Sequence, residues 1–264
     1  MNNAIGVFDS GVGGLTVARE IMRQLPNETI YYFGDVKNCP YGDKTKEEII
    51  KNTDRAVKFL IDKGVKLVVL ACNTATAAAL DYLQSKYEVP IIGVVQPGAR
   101  RAIQATENNK VLVLGTKFTA NSKVYDIEIE NINSDIIVFD KACPAFVPFI
   151  ESEGNLDKEA TKNLITETLG NTNTLGVDTV VLGCTHYPIL KEDIEEYYGN
   201  NINVISSGRE AAREVSTVLG YAKLHQKKLN KKEHRFFISQ ESENFNSIAS
   251  KWLNKDINAE VVDV

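Results

Sequence analysis

Cysteine is scarce in this 264-residue chain: there are four, Cys39, Cys72, Cys143 and Cys184, and no two form a C-x-x-C pair. The only histidine near a cysteine is His186, two residues after Cys184, so no structural metal site is expected. So few cysteines in so long a chain also exclude a disulfide scaffold, and reduced thiols in a cytoplasmic protein are the expectation. Long apolar runs are missing too. None approaches the ~18 residues that would span a membrane. The opening MNNAIGVFDSG has no basic stretch followed by a long apolar core, so no secretory signal is expected. Positive charge is not in excess. The formal net charge is −5, which argues against a nucleic-acid-binding surface. The one basic run, KLHQKKLNKKEHR at residues 223–235, lacks interleaved aromatics and reads as a solvated loop or helix face. No Gly/Ser-rich or Pro-rich linker interrupts the chain.

What is present is ordinary globular composition, 43% hydrophobic and 25% charged, enough for one large domain or two medium ones. Short apolar runs alternate with amphipathic stretches. AIGVFD (4–9), TIYYFGD (29–35), KLVVLAC (66–72) and VPIIGV (89–94) read as buried strands. LTVAREIMRQL (15–25), residues 44–64 and TATAAALDYLQSKY (74–87) read as helices between them, the second closed by Gly64. The pattern then restarts. ARRAIQAT (99–106) is a helix, KVLVLGT (110–116) a strand, TANSKVYDIEIENI (119–132) a helix and DIIVFDKA (135–142) a strand. A helix at 158–170, the strand DTVVLGC (178–184), the helix PILKEDIEEYYG (188–199) and the strand NINVISS (201–207) complete it. The last part reads as helix 209–224, strand 234–239, helix 245–253 and strand 257–264. Continuously apolar strands alternating with helices predict an α/β fold with mainly parallel sheets covered on both faces.

The restart is a diverged internal repeat. VVLACNT answers VVLGCTH, and IGVFDSG answers VLVLGTKFT. Asp9 precedes Cys72 by 63 positions, close to the 68 that separate Thr116 from Cys184. Two similar lobes are expected, residues 1–95 with 208–264, to which the chain returns, and residues 96–207.

Ligands of open α/β sheets bind beyond the carboxyl ends of the strands, where Cys72 and Cys184 both fall. Each is followed by polar residues expected to open a helix, with Pro188 suited to a first turn. A helix N-terminus favours a thiolate. Either cysteine alone reads as readily as core packing. The matched pair points further. If the lobes face one another, two thiols can flank one carbon, remove a proton from one face and return it to the other. Each then needs a partner that tunes its proton affinity. Asp9, at the end of the first strand, and His186 are the candidates, against capping or a hydrogen-bonded core histidine. DSGVGGL (9–15) lacks the third glycine of a dinucleotide fingerprint, and there is no Walker lysine, so a carboxylate is the more modest ligand for this turn. Ser10, Asn73, Thr74 and Thr185 offer donors for a second carboxylate and an amine, or serve as caps.

These residues carry a resemblance. FDSGVGGLTV, CPYG (39–42), ACNTAT (71–76) and GCTHYP (183–188), with the weaker echoes VVQPGA (94–99), ACPAFVPFIE (142–151) and ISSG (205–208), are similar to the glutamate racemase family. That family is a cofactor-independent branch of the aspartate/glutamate racemase superfamily. The motifs run in order along most of the chain. The resemblance implies interconversion of L- and D-glutamate without pyridoxal phosphate or metal, supplying D-glutamate for peptidoglycan. It implies Cys72 as the base acting on D-glutamate and Cys184 on L-glutamate, assisted by Asp9 and His186, with Glu151 a further catalytic carboxylate. It implies substrate binding by Asp9, Ser10, Tyr41, Gly42, Asn73, Thr74, Thr116, Thr119, Thr185 and His186, in a cleft between two lobes of one chain. It also implies a homodimer. In CPYG, Pro40 and Gly42 shape a tight loop that presents Tyr41. Cys39 and Cys143 are expected only to pack.

Three rival readings follow. Aspartate or a hydantoin is the rival substrate. An amino-acid-binding sensor would share the two-lobed form but needs no thiol pair. A phosphotransferase using Asp9 would want a second acid two residues on, where Gly11 stands.

Overall fold

The computed structural model describes residues 4–152, 157–199, 202–226 and 233–264. Within it the chain forms two compact units, Met1–Val94 with Gly208–Val264, and Val95–Ser207.

The first unit opens with β1 (Ile5–Asp9), buried throughout, and α1 (Leu15–Gln24), whose Leu15, Val17, Ala18 and Ile21 are buried along one face. β2 (Ile30–Gly34) follows, then a short 3-10 turn at Val36–Asn38. α2 (Lys46–Asp62) starts on a capping box: Thr45 Oγ1 accepts the Glu48 amide, and the Glu48 carboxylate accepts the Thr45 amide. It stops at Gly64, whose φ of +79° is the left-handed conformation anticipated for a C′ glycine. β3 (Leu67–Leu70), α3 (Asn73–Lys86) and β4 (Ile91–Gly93) complete this passage.

The second unit runs α4 (Val95–Ala105), β5 (Lys110–Gly115), α5 (Lys117–Ser122), α6 (Val124–Glu130), β6 (Ile137–Ala142) and α7 (Phe146–Ser152). It continues through α8 (Lys158–Leu169), capped by Asp157, then β7 (Thr179–Gly183), α9 (Lys191–Tyr198) and β8 (Asn203–Ser206). The chain re-enters the first unit through α10 (Ser207–Tyr221), then β9 (Arg235–Ile238), α11 (Glu243–Leu253) and β10 (Glu260–Val261).

Among the described residues the first unit's sheet has the order β10-β9-β2-β1-β3-β4 and the second unit's the order β6-β5-β7-β8. Every paired strand is parallel. The α/β class with parallel sheets flanked by helices is therefore as the alternation predicts. One core lies among Val7, Leu15, Ile21, Tyr32, Val69, Val215 and Phe236. Another, in the second unit, gathers Val95, Val111, Val113, Tyr125, Ile129 and Val181. Each such side chain taken fully out of water contributes roughly 1.5–3 kcal/mol.

Several elements differ from the sequence reading. The stretch 119–132 is not one helix: Lys123 takes a φ of +56°, which separates α5 from α6. Residues 146–152, read only as part of a motif, form α7. The helix expected over 188–199 is a 3-10 turn, Tyr187–Leu190, followed by α9. The helix expected over 99–106 begins earlier, at Val95, and admits Pro97 in its first turn, where no intrahelical amide is needed. The last strand shrinks to Glu260–Val261. Much of the basic run at 223–235 lies outside the described residues.

Candidate active site

Strand register gathers the first unit's candidates. β1 lies between β2 and β3, with Phe8 opposite Leu70 and Asp9 opposite Gly34. Two residues past the Phe8–Leu70 pair, the chain reaches Ser10 on one strand and Cys72 on the other. The Cys72 thiol reaches Ser10 Oγ across 3.7 Å, and the Ala75 amide donates to Cys72 Sγ at 3.4 Å. Cys72 is thus the N-cap of α3, in the place usually held by a serine or aspartate oxygen. The amide and the positive end of the helix both favour sulfur as an anion. Asn73 and Thr74 begin α3 and are buried.

Asp9 is buried and does not cap α1, whose N-cap is Gly14. Its Oδ1 accepts the Gly11 amide at 3.0 Å, and Tyr32 donates its hydroxyl to the Gly11 carbonyl at 2.7 Å. A Cβ on Gly14 would stand 2.4 Å from Asp9 Cβ and 2.9 Å from the Tyr32 oxygen, so only glycine fits beside that carboxylate. Burial raises the Tyr32 pKa well above its usual range, and the charges of Asp9, Cys72 and Cys39 raise it further. The phenol stays a donor. Tyr41, also buried, donates to Asp35 Oδ2 at 2.6 Å. Gly42 lies in the following turn, and the Cys39–Pro40 bond before it is cis.

In the second unit β5 and β7 are neighbours, with Gly115 opposite Gly183. Thr116 and Cys184 are the next residues, leaving adjacent strand ends as Ser10 and Cys72 do. Thr116 caps α5: its Oγ1 accepts the Thr119 amide at 3.2 Å and donates to Thr119 Oγ1 at 3.1 Å. Thr185 is buried beside Cys184.

Cys184 lacks the setting of Cys72. The expected α-helix does not begin here; a single 3-10 turn follows, and α9 starts only at Lys191. A side-chain relay takes the helix's place. His186 Nδ1 lies 3.9 Å from Cys184 Sγ, and His186 Nε2 lies 2.8 Å from Glu151 Oε1 on α7. Burial opposes charging the imidazole, but hydrogen bonds and charge from Cys184 and Glu151 outweigh it and raise the His186 pKa to about 10. The imidazole thus stands between the Cys184 thiol and the Glu151 carboxylate.

Cys143 is fully buried, and burial pushes its pKa up to about 12. Among the described residues no group of three or more His, Cys, Asp or Glu side chains is arranged to hold a metal ion, and no helix is long and apolar enough to cross a membrane.

The sequence reading passed over three residues. Asp35 collects Tyr41, Asn38 and Ser239; Tyr32 holds the Gly11 carbonyl; Tyr187 donates to Gly115 and Cys143. For the two tyrosines the available signal was a phenol in or just beyond an apolar strand, which needs a partner when buried.

Each α/β unit carries a thiol just past the end of a parallel strand, Cys72 after β3 and Cys184 after β7. Residues 5–215 match the Asp/Glu/Hydantoin racemase family model. A glutamate racemase of Staphylococcus epidermidis is 48% identical over 264 residues, covering 100% of this chain and 99% of that protein. A glutamate racemase isoform from Bacillus anthracis superposes with a TM-score of 0.95 at 40% identity, over 99% of this chain and 98% of that one. A glutamate racemase from Francisella tularensis, solved in complex with D-glutamate, gives 0.91 at 34% identity, again over 99% and 98%. The chain belongs to the Asp/Glu/Hydantoin racemase family, and it is a racemase, an isomerase.

Proposed function

We propose that this protein interconverts L- and D-glutamate by two-base proton transfer between Cys72 and Cys184, without pyridoxal phosphate or metal. The observation that carries the reading is the relay Cys184–His186–Glu151, set against the helix-capping thiol of Cys72. Two thiols are each given their own means of existing as an anion, which a binding module would not need.

In the L-to-D direction the Cys184 thiolate takes the α-proton. The carbon–hydrogen electron pair stays on the α-carbon and spreads into the carboxylate. The Cys72 thiol then gives its proton to the opposite face and is left as the thiolate. The reverse direction exchanges the roles. His186 stabilises the Cys184 thiolate, Glu151 holds the imidazole, and Asp9 serves the Cys72 side. The α-proton is very weakly acidic, so donors aimed at the α-carboxylate must stabilise the carbanion-like transition state. Ser10, Asn73, Thr74, Thr116, Thr119 and Thr185 are proposed as those donors and as binders of the side-chain carboxylate and amine. Tyr41 and Gly42 complete the substrate contacts. The racemase is proposed to act as a cytoplasmic homodimer that supplies D-glutamate for peptidoglycan.

The test is incubation with L-glutamate in D₂O, following optical rotation and α-hydrogen exchange together. Deuterium mainly in newly formed D-glutamate is expected of two separate bases. Equal labelling of both enantiomers would overturn the two-base assignment. Neither exchange nor loss of rotation, in folded protein, would favour amino-acid binding without turnover.

A further inference from the structure

His186 and Glu151 come from different segments. His186 follows β7, and Glu151 lies in the last turn of the short helix α7. A helix of seven residues, Phe146–Ser152, does not hold itself in place; tertiary contacts must fix it. The residue after His186 supplies them. Tyr187 is fully buried, and its ring meets Phe146, the first residue of α7, edge to face with centroids 5.1 Å apart. Its hydroxyl lies 2.9 Å from the Cys143 carbonyl and 3.1 Å from the Gly115 carbonyl.

Neither carbonyl depends on Tyr187 for satisfaction. The Gly115 oxygen also accepts the Cys143 amide at 2.9 Å, and the Cys143 oxygen accepts the Phe146 amide at 3.2 Å. The phenol instead joins three segments: the end of β5 just before Thr116, the turn leading into α7, and the turn holding His186. Burial raises its pKa well above the usual range, the charges of Cys184 and Cys143 add to that, and it remains a donor.

We propose that Tyr187 is a positioning residue of the racemase site, its phenol and ring together holding α7 so that Glu151 stays on His186 and His186 stays beside Cys184. The kinetic part rests on the glutamate racemase reading; the structural part does not. Misplacement of a reacting group by about 1 Å costs as much as ~10²-fold in rate, so loosening this clamp should appear in kcat more than in KM.

The experiment compares wild type with Tyr187→Phe, which keeps the ring but loses both hydrogen bonds, and with Phe146→Leu, which keeps the phenol but loses the ring contact. Folding is checked by circular dichroism, and His186 is titrated by imidazole ¹⁵N NMR. Wild-type His186 should have its midpoint near 10, and either variant should move it toward about 6.5, as Glu151→Gln should do directly. With L-glutamate, kcat of Tyr187→Phe should fall ~10-fold or more, while KM changes less than ~3-fold. A His186 midpoint unmoved in both folded variants overturns the proposal, whatever kcat does. A wild type that does not turn over glutamate overturns the racemase reading instead, and the midpoint still decides the role of Tyr187.

Discussion

The Tyr41 hydroxyl rests 2.6 Å from Asp35 Oδ2, and both side chains are buried. The same carboxylate accepts both contacts of the Asn38 amide at 3.0 Å and the Ser239 hydroxyl at 2.8 Å. One anion thus gathers the loop from Val36 to Tyr41 and ties it to the end of β9. Burial and the Asp35 charge keep the Tyr41 phenol protonated far above its usual range. Asp35→Ala should destabilise the protein by about 2–3 kcal/mol, because a buried tyrosine hydroxyl loses its acceptor. Urea unfolding checks this, and a loss under about 1 kcal/mol would contradict the role given to Asp35.

Gly14 has room for no side chain. Gly14→Ala would force a Cβ to within 2.4 Å of Asp9 Cβ, so Asp9 or the turn must move. The expected cost is about 1–3 kcal/mol of stability. If Asp9 serves Cys72, a loss of kcat in the remaining folded enzyme accompanies it. Full activity in the folded variant would show that the position of Asp9 is immaterial.

Cys72→Ser and Cys184→Ser should each lower racemisation by about 10²–10⁴-fold, as expected on losing a general acid/base. Their circular dichroism should match wild type. Near-normal turnover in either would rule out the two-thiol mechanism.

His186 and His234 should titrate on opposite sides of the ordinary histidine value of about 6.5. His186 is expected to hold its proton to about pH 10. His234 moves down, through burial and the Lys255 charge, and its Nδ1 accepts the Ile30 amide at 3.1 Å. The signs for stability follow. What the His186 imidazolium contributes is fully present below about pH 6.5 and fades as pH rises through its folded value. What neutral His234 contributes is present above about 6.5 and is lost as pH falls through its lower folded value. NMR titration of both rings is the check, and coincident midpoints near 6.5 would refute both environments.

The strands and the paired cysteines were legible because their signals are local: apolar runs, a repeated Val-Val-Leu-x-Cys, glycine at a turn. Even the thiolate setting of Cys72 was legible, since its cap is three residues away. Of the setting of Cys184, the residues alone offered only His186, two positions on; Glu151 entered through the family resemblance. The Cys184 relay depends on Glu151, 35 residues from His186, carried on a helix too short and too interrupted by Pro148 to show a period. The partners of Tyr32, Asp35 and Tyr187 were hidden for the same reason, lying as far as 21, 204 and 72 residues away. The break at Lys123 was hidden as well, because nothing in NSKVYD demands a left-handed residue.

The sheet order has a consequence for how the protein is made. β2 takes β1 on one side and β9 on the other, and β9 comes from residues 235–238, after the whole of the second unit. On the ribosome, β5 to β8 are all delivered before the first unit's sheet can be finished. At about 5–20 residues per second, the stretch from the end of β2 at Gly34 to the end of β9 at Ile238 takes roughly ten to forty seconds to synthesise. Throughout that interval one flank of β2, with its tyrosines and phenylalanine, is an unpaired edge in the nascent chain, the place where pairing with another nascent chain would begin.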